Sequence, residues 1–296
     1  MTNDTKPTLT LLPQYAETEV LKPGARVGKG GNPHHYLVNG VPYKRVTSIL
    51  SDTIPKPGLI YWSRNVALEK AKTELTHALM MADPVEMNNE PYIKGVFGHE
   101  WINEVIEAAR NRPDEVKNEA ADWGTGAHNM IQRYIDLTMA GNFVYDAGPQ
   151  YQDTLNAFKA FEEQFNLTWL ATEMTVWSNT LQVAGTVDAI GRTSQGGLVV
   201  FDWKTSHAFY PEMALQVSAY ASMLEEMIGE SVVKAYVVRF PKEQPEMVNQ
   251  IEPCKEAVPL TPLFEVKEIA SITHGWTRYK ELVPQARYLK SKVWVE

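Results

Sequence analysis

An α/β fold with a mixed sheet is predicted for this chain, on three observations. The first half is mostly helical in texture. Near residue 150 the texture shifts to short, β-branched apolar runs. From there the order reads helix, three strands, helix, strand, as expected for a sheet with helices packed on it.

The elements follow in order. Residues 1–34 are rich in Pro and Gly and are expected as a flexible arm. HYLVNGVPYKRVTSIL (35–50) predicts a hairpin about Asn39-Gly40, a pair suited to a type I′ turn. After Pro55 and Pro57, residues 58–75 have helical texture. A break at 81–91 carries two prolines. Two helices are expected at 92–111 and 114–139, the second interrupted by Gly124 and Gly126. YQDTLNAFKAFEEQF (151–165) is amphipathic. Strands are expected at 168–178, 181–192 and 197–204, then a helix at 210–228 and a strand at 232–240. A polar loop leads to an edge strand at 263–269 and a closing helix at 273–291. The expected organisation after the arm is one domain over 35–296. It comprises a helical cap with a His-bearing helix (35–149), a core (150–240), and a C-terminal strand and helix (241–296).

Composition narrows the function classes. The chain has 296 residues, 44% apolar and 22% charged, with a formal net charge of -8. That balance argues against wholesale binding to polyanions but permits a local basic groove. A single cysteine, Cys254, rules out an intrachain disulfide framework and a Cys-rich zinc or iron–sulfur site. No basic and apolar leader opens the chain, and no apolar run approaches the ~20 residues of a membrane span. A cytoplasmic location and no membrane partner are expected.

The chemistry-bearing stretch is LVVFDWKTS (198–206). Strand alternation puts Asp202 and Lys204 on one face. VAGTVDAI (183–190) carries Asp188, and TEMTVW carries Glu173 at its start. Three consecutive strands thus each offer an acid. Like charges held close repel and are costly to bury. A hard divalent cation such as Mg²⁺ resolves this, using one or two carboxylates and several waters. A lysine beside it can act on a metal-bound water, which in outline is metal-assisted phosphodiester hydrolysis. On the next helix, Gln216 and Tyr220 are four apart and share a face. His128 follows two glycines in GTGAH. Taken alone, the Asp202/Lys204 pair is no more than a strand-end ion pair worth ~0–1 kcal/mol. It is the combination that points to a site.

These residues resemble the PD-(D/E)XK nuclease superfamily. They are Gly185-Thr-Val-Asp188, Asp202-Trp-Lys204-Thr-Ser, Gln216-x3-Tyr220 and the upstream GTGAH. More narrowly they resemble its RecB/Cas4-like exonuclease branch, with the mitochondrial genome maintenance exonuclease group and related phage exonucleases as the nearest likeness. The resemblance is strong over roughly 120–240 and thin over 35–65. It implies a restriction-endonuclease-like core with a helical N-terminal cap, and a DNA exonuclease using Mg²⁺ or Mn²⁺. His128, Asp188, Asp202 and the backbone carbonyl of Trp203 would ligate metal, and Lys204 would act on the attacking water. Glu173 would be a supporting or second-metal ligand, and Gln216 and Tyr220 would steady Lys204 and the DNA backbone. One subtype carries a four-cysteine iron–sulfur cluster, which a single cysteine excludes.

Thr205 and Ser206 can donate hydrogen bonds to a phosphate. Arg45, Tyr61 and Trp62 mix charge with aromatic faces, as a single strand of nucleic acid requires. The expected partner is DNA, single-stranded or with free ends, with a recombinase or single-strand-binding protein as a conceivable companion. Two other readings stand beside this one. One is a phage-type exonuclease acting on duplex ends for recombination. The other is an inactive nucleic-acid-binding protein on a nuclease fold.

Overall fold

A computed structural model describes residues 8–23, 35–83, 85–91, 93, 97–142, 144–242 and 264–290. The elements are α1 (Pro13–Ala16), β1 (Val20–Leu21), β2 (His35–Val38), β3 (Val41–Arg45), α2 (Val46–Thr53), α3 (Pro57–Met81) and α4 (His99–Met139). Then come α5 (Gln152–Phe165), β4 (Thr168–Ser178), β5 (Val183–Arg192), β6 (Leu198–Lys204), α6 (Pro211–Ile228), β7 (Val232–Arg239), β8 (Glu265–Glu268) and α7 (Ile272–Lys290). The mixed sheet flanked by helices and the helical N-terminal region are therefore both present. Among the described residues no helix is long and apolar enough to cross a membrane.

The chain divides into two compact units, Met1–Ile54 with Gly126–Glu296, and Pro55–Thr125. The first holds the sheet, ordered β1-β2-β3-β5-β6-β7-β8, with β4 paired to β5. The β3–β5 and β6–β7 pairs are parallel and the others antiparallel.

One feature of this sheet matters for the site. β4 runs along one edge of β5 from Val183 to Arg192. The other edge of β5 is shared. β3 takes Val183 and Ala184, and β6 takes Ala189 to Arg192. Gly185 to Asp188 therefore face a notch between β3 and β6, without a strand partner on that side.

Two apolar clusters cover the sheet. One packs α6, α7 and α2 against Val183, Val187, Ile190, Val200 and Val237. Residues Met213, Val217, Tyr220, Leu224 and Met227 recur at helical spacing and are buried. The other cluster joins α5 and the end of α4 to Trp169, Phe201, Trp203 and Tyr236. Its centre is aromatic: Phe158 lies 5.6–6.1 Å from the rings of Tyr134, Phe161, Trp169, Trp203 and Phe240.

Several local expectations change. Part of the segment read as a flexible arm is tied down. β1 pairs with β2, Leu12 N–H donates to Met227 O at 2.8 Å, and the Tyr15 ring is buried. Residues 1–7 and 24–34 lie outside the described residues, as does most of the loop before β8. The hairpin turns at Asn39-Gly40 with both φ positive (49° and 77°), as a type I′ turn requires. The second strand ends at Arg45, and VTSILSDT forms α2, burying Val46, Ile49 and Leu50. Tertiary burial outweighs the β preference of Val, Thr and Ile there.

The two expected helices around Pro113 are one 41-residue helix that contains that proline. A proline removes one rung of the hydrogen-bond ladder, and the long runs on both sides persist. Gly124 and Gly126 do not interrupt it. At Gly126 a Cβ would stand 1.8 Å from the Tyr151 hydroxyl, so glycine is needed for close side-chain approach.

Described by itself, the Pro55–Thr125 unit carries α3, in which no residue is buried. Its surface holds i,i+4 and i,i+3 ion pairs such as Lys70–Glu74 (2.6 Å) and Arg112–Glu115 (3.1 Å).

Candidate active site

The notch in the sheet edge is where the acids meet. The β5–β6 ladder stops at Ala189–Phe201, so Asp188 and Asp202 lie just beyond its last rung. Asp188 Oδ2 accepts the Trp203 amide N–H at 2.7 Å. His128 comes from the buried face of α4 that also carries Ile131 and Ile135, and its Nδ1 lies 3.6 Å from the same Oδ2. Asp202 is 1% exposed. Its Oδ1 accepts from Gln216 Nε2 at 2.8 Å, and Lys204 Nζ lies against its Oδ2. Gln216 Nε2 also donates to the Tyr220 hydroxyl at 3.2 Å. One amide hydrogen of Gln216 thus ties α6 to β6, and the other bonds Tyr220 within α6.

The electrostatics follow from burial and proximity. Burial pulls the His128 imidazole down, but the Asp188 carboxylate outweighs it and holds His128 above the usual histidine range. Burial raises Asp188, and His128, Lys204 and the Trp203 N–H together leave it below the usual carboxylate range. Asp202 is pushed up to about 6, first by burial, with Asp188 adding to the shift and Lys204 opposing it. Burial would lower Lys204, but the two carboxylates raise it, so it holds its proton. The Tyr220 phenol is raised by burial and by Asp202, and stays protonated.

A stability effect follows from Asp202. Its folded value of about 6 exceeds the ordinary 3.8. The folded metal-free protein therefore binds more protons than the unfolded chain between those values, and stability falls as pH rises through that window. Asp202→Asn is expected to raise the thermal midpoint of the metal-free protein at about pH 8 and to leave it unchanged near pH 3.5. Circular dichroism melts in EDTA check this. A lower midpoint at the higher pH would mean that the pairing with Lys204 outweighs the burial cost.

Glycine at 185 is dictated by the same packing. A Cβ there would stand 2.2 Å from Tyr220 Cε1. Gly185→Ala is expected to displace the Tyr220 ring and, through Gln216, the Asp202 carboxylate. The cost of such overpacking is about 1–3 kcal/mol of stability. A denaturant melt reads it, and an unchanged midpoint would count against this packing.

Thr205 and Ser206 lie part-buried in the turn after Lys204. The Ser206 hydroxyl donates to Ala208 O at 2.8 Å, and Ser206 O accepts from Arg239 Nη1 at 3.2 Å. Arg45 ends β3 beside Ala184, exposed, and its charge acts on the Tyr36 phenol. Tyr61 and Trp62 belong to the Pro55–Thr125 unit, where both are exposed and Arg64 lies 5.4 Å from the Tyr61 ring centroid.

Glu173 is not in the His128–Asp202 group. It sits on β4 with a φ of 48°, and its carboxylate and carbonyl both accept from Lys22 Nζ, at 3.1 and 3.0 Å. A non-glycine residue in that conformation costs of order 1–3 kcal/mol. A half-exposed ion pair contributes about 0–1 kcal/mol. The contact with Lys22 therefore does not offset the strain.

Sequence reasoning missed Tyr36, Thr186 and Lys22. The Tyr36 hydroxyl is 2.8 Å from Thr186 Oγ1, and the Tyr36 phenol, raised mainly by burial, also feels Glu173 and Asp188. For Thr186 a signal was present, since it alternates with Asp188 on β5. For Tyr36 and Lys22 there was none, because strand order alone brings them here.

The donor set can be tested for a divalent cation. Among the described residues, no three His, Cys, Asp or Glu side chains form a ready-made cage. Asp188 and Asp202 are two carboxylates, which is as many as Mg²⁺ commonly takes from a protein. The buried Asp202 Oδ2 has no hydrogen-bond donor in proper geometry, although the Lys204 ammonium lies against it. Two largely buried carboxylates close enough to act on each other, with one lysine beside them, fit a hard cation.

Comparison with known proteins bears on this geometry. The family model of the PD-(D/E)XK nuclease superfamily matches residues 86–281, which include Asp188, Asp202 and Lys204. The chain belongs to the PD-(D/E)XK nuclease superfamily. Among solved structures it is similar to a phage-related exonuclease from Haemophilus somnus 129PT. The identity is 13% over 55% of this chain and 79% of that chain, with a TM-score of 0.31. It is also similar to an alkaline exonuclease from Laribacter hongkongensis, at 12% identity over 55% of this chain and 82% of that chain, with a TM-score of 0.27. No curated protein matches the chain significantly. These structural similarities are low, and the assignment to the nuclease superfamily rests on the family match.

Proposed function

We propose that this protein is a divalent-metal-dependent DNA exonuclease that hydrolyses phosphodiester bonds from ends, with single-stranded DNA as the preferred substrate. The observation that carries the reading is the meeting of Asp188, Asp202 and Lys204 beside the notch, two largely buried carboxylates with one ammonium between strand ends.

Asp188 and Asp202 would hold Mg²⁺ or Mn²⁺, with His128 and the Trp203 carbonyl as further ligands. The bound ion would supply Lewis-acid polarisation of the phosphate and a more acidic water. The remaining chemistry belongs to the chain. Lys204, kept protonated by its two carboxylates, donates hydrogen bonds that orient the attacking water and stabilise charge developing on the phosphate. Gln216 fixes the rotamer of Asp202 and so the position of the Lys204 ammonium. Thr205 and Ser206, at the strand exit, would contact a neighbouring phosphate, Ser206 by exchanging its bond to Ala208 O. Arg45 extends the positive charge along the same strand end as Ala184. Tyr61 and Trp62 are proposed as stacking surfaces for bases. DNA replication, recombination or repair is the setting in which such an activity serves.

End-labelled linear single strands, linear duplex and covalently closed circles test the reading, each with Mg²⁺, Mn²⁺ or EDTA. Metal-dependent shortening of linear single strands, with circles intact, is expected. Equal cutting of circles would make the protein an endonuclease. Preferential loss of duplex ends would favour the recombination-type exonuclease. Absence of cutting in any metal would favour the inactive binding protein.

A further inference from the structure

Among the described non-glycine residues with positive φ, Asn39, Asn166 and Gln182 lie in turns or at a helix end. Glu173 alone lies inside a regular strand. The ladder shows the consequence. Thr172 pairs with Ala189 and Met174 with Val187, and the rung between them, where Glu173 would face Asp188, is missing. The backbone has turned out of the sheet at the position opposite the catalytic acid.

That turn builds a seat for a cation. It frees the Glu173 carbonyl, which accepts from Lys22 Nζ at 3.0 Å while Oε2 of the same residue accepts at 3.1 Å. Lys22 comes from the other end of the chain, 151 positions away, carried in by β1 at the sheet edge. An ammonium has three donors. Two are spent on Glu173, and the side chain remains 46% exposed, so among the described residues one donor is left for solvent or a ligand. Strain that a local contact does not offset persists mainly where it serves a site. The rungs on either side of Glu173, Thr172 with Ala189 and Met174 with Val187, flank Asp188 and keep Glu173 beside it. The Tyr36 phenol, bonded to Thr186, feels both Glu173 and Asp188.

We propose that Lys22 is a substrate-positioning residue: seated on Glu173 across the strand from Asp188, its ammonium holds a backbone phosphate next to the one being cut. Glu173 is then the holder of this cation and not a metal ligand. The proposal rests on the nuclease reading of the same site and assigns the site a second cation, on the opposite side of Asp188 from Lys204.

The test uses the full chain carrying Lys204→Ala, so that binding is measured without cutting. The probe is a fluorescein-labelled linear oligothymidylate, titrated by anisotropy across a KCl series. Adding Lys22→Met is expected to weaken binding about 10-fold. It is also expected to flatten the slope of log K against log salt by about 0.7, the loss of one phosphate contact on a single strand. Lys22→Arg should restore both. Glu173→Gln should give a partial loss, because the ammonium is no longer held. In the protein with Lys204 intact, Lys22→Met should raise KM more than it lowers kcat. An unchanged affinity and slope in Lys22→Met overturns the proposal, as does a lowered thermal midpoint with the slope intact, which marks a purely structural pair. If the parent itself binds no oligonucleotide, the nuclease reading falls and Lys22 falls with it. If the parent binds and only the Lys22 result fails, the nuclease reading survives.

Discussion

Lys204→Ala is expected to lower the rate of phosphodiester hydrolysis by about 10²–10³-fold while leaving the fold intact. The residue is part-buried at the end of β6, with its ammonium against Asp202 and within the field of Asp188. It is the cation placed beside both acids, and alanine supplies neither a donor nor a charge. Nearby Thr205 and Ser206 do not replace it, because a hydroxyl carries no positive charge. Release of labelled nucleotide under Mg²⁺ measures the rate, and far-ultraviolet circular dichroism checks the fold. A fall of less than about 3-fold would remove Lys204 from the chemistry, since loss of one preorganised donor to developing charge costs about 10²–10³-fold.

The largest expected effect on stability is at Phe158. Phe158→Ala should cost about 3–5 kcal/mol. The ring is fully buried and meets five other aromatic rings, from α4, α5, β4, β6 and the end of β7. Few single positions touch so many elements, so the cavity has no single neighbour that can collapse into it. For a chain of this size the loss corresponds to a fall of roughly 6–20 °C in the thermal midpoint. It should also disturb the site, because Trp203 packs against this ring while its amide holds Asp188. A thermal melt with a parallel activity measurement checks both parts. A shift of under about 2 °C would mean that the aromatic cluster repacks.

Much of the site was legible before any fold was known, for reasons that can be named. Asp202 and Lys204 end an otherwise apolar strand, and alternation puts them on one face. Gln216 and Tyr220 are one helical turn apart, and that spacing is enough to bring them to one carboxylate, through the Gln216 amide. Local patterning also located most strands and helices to within two or three residues. It failed where packing opposed propensity. VTSIL forms α2 because its Val and Ile side chains are buried against the sheet. Gly126 is helical because Tyr151 needs its space.

Glu173 shows the other limit. Its position in a β-rich run suggested an acid converging with the others. The structure turns it away from the ladder onto Lys22, a residue with no pattern to mark it. Tyr36 is similar: it sits in an ordinary hairpin until β3 joins β5 in parallel and brings its hydroxyl to Thr186.

The sequence by itself determined the chemistry on offer: two acids and a lysine on strand ends, a histidine on a helix, and a glutamine to orient them. These depend on spacings of two to four residues, which the periods of strand and helix convert directly into direction. Only the tertiary structure decided that β5 shares one edge between β3 and β6. The notch left between them separates the strands at Asp188 and admits the Trp203 amide and His128 to one carboxylate oxygen, while on the other edge of β5 the turn at Glu173 meets Lys22. Pairings between residues more than a hundred positions apart depend on strand order, and strand order is set by burying the apolar faces of the whole chain together.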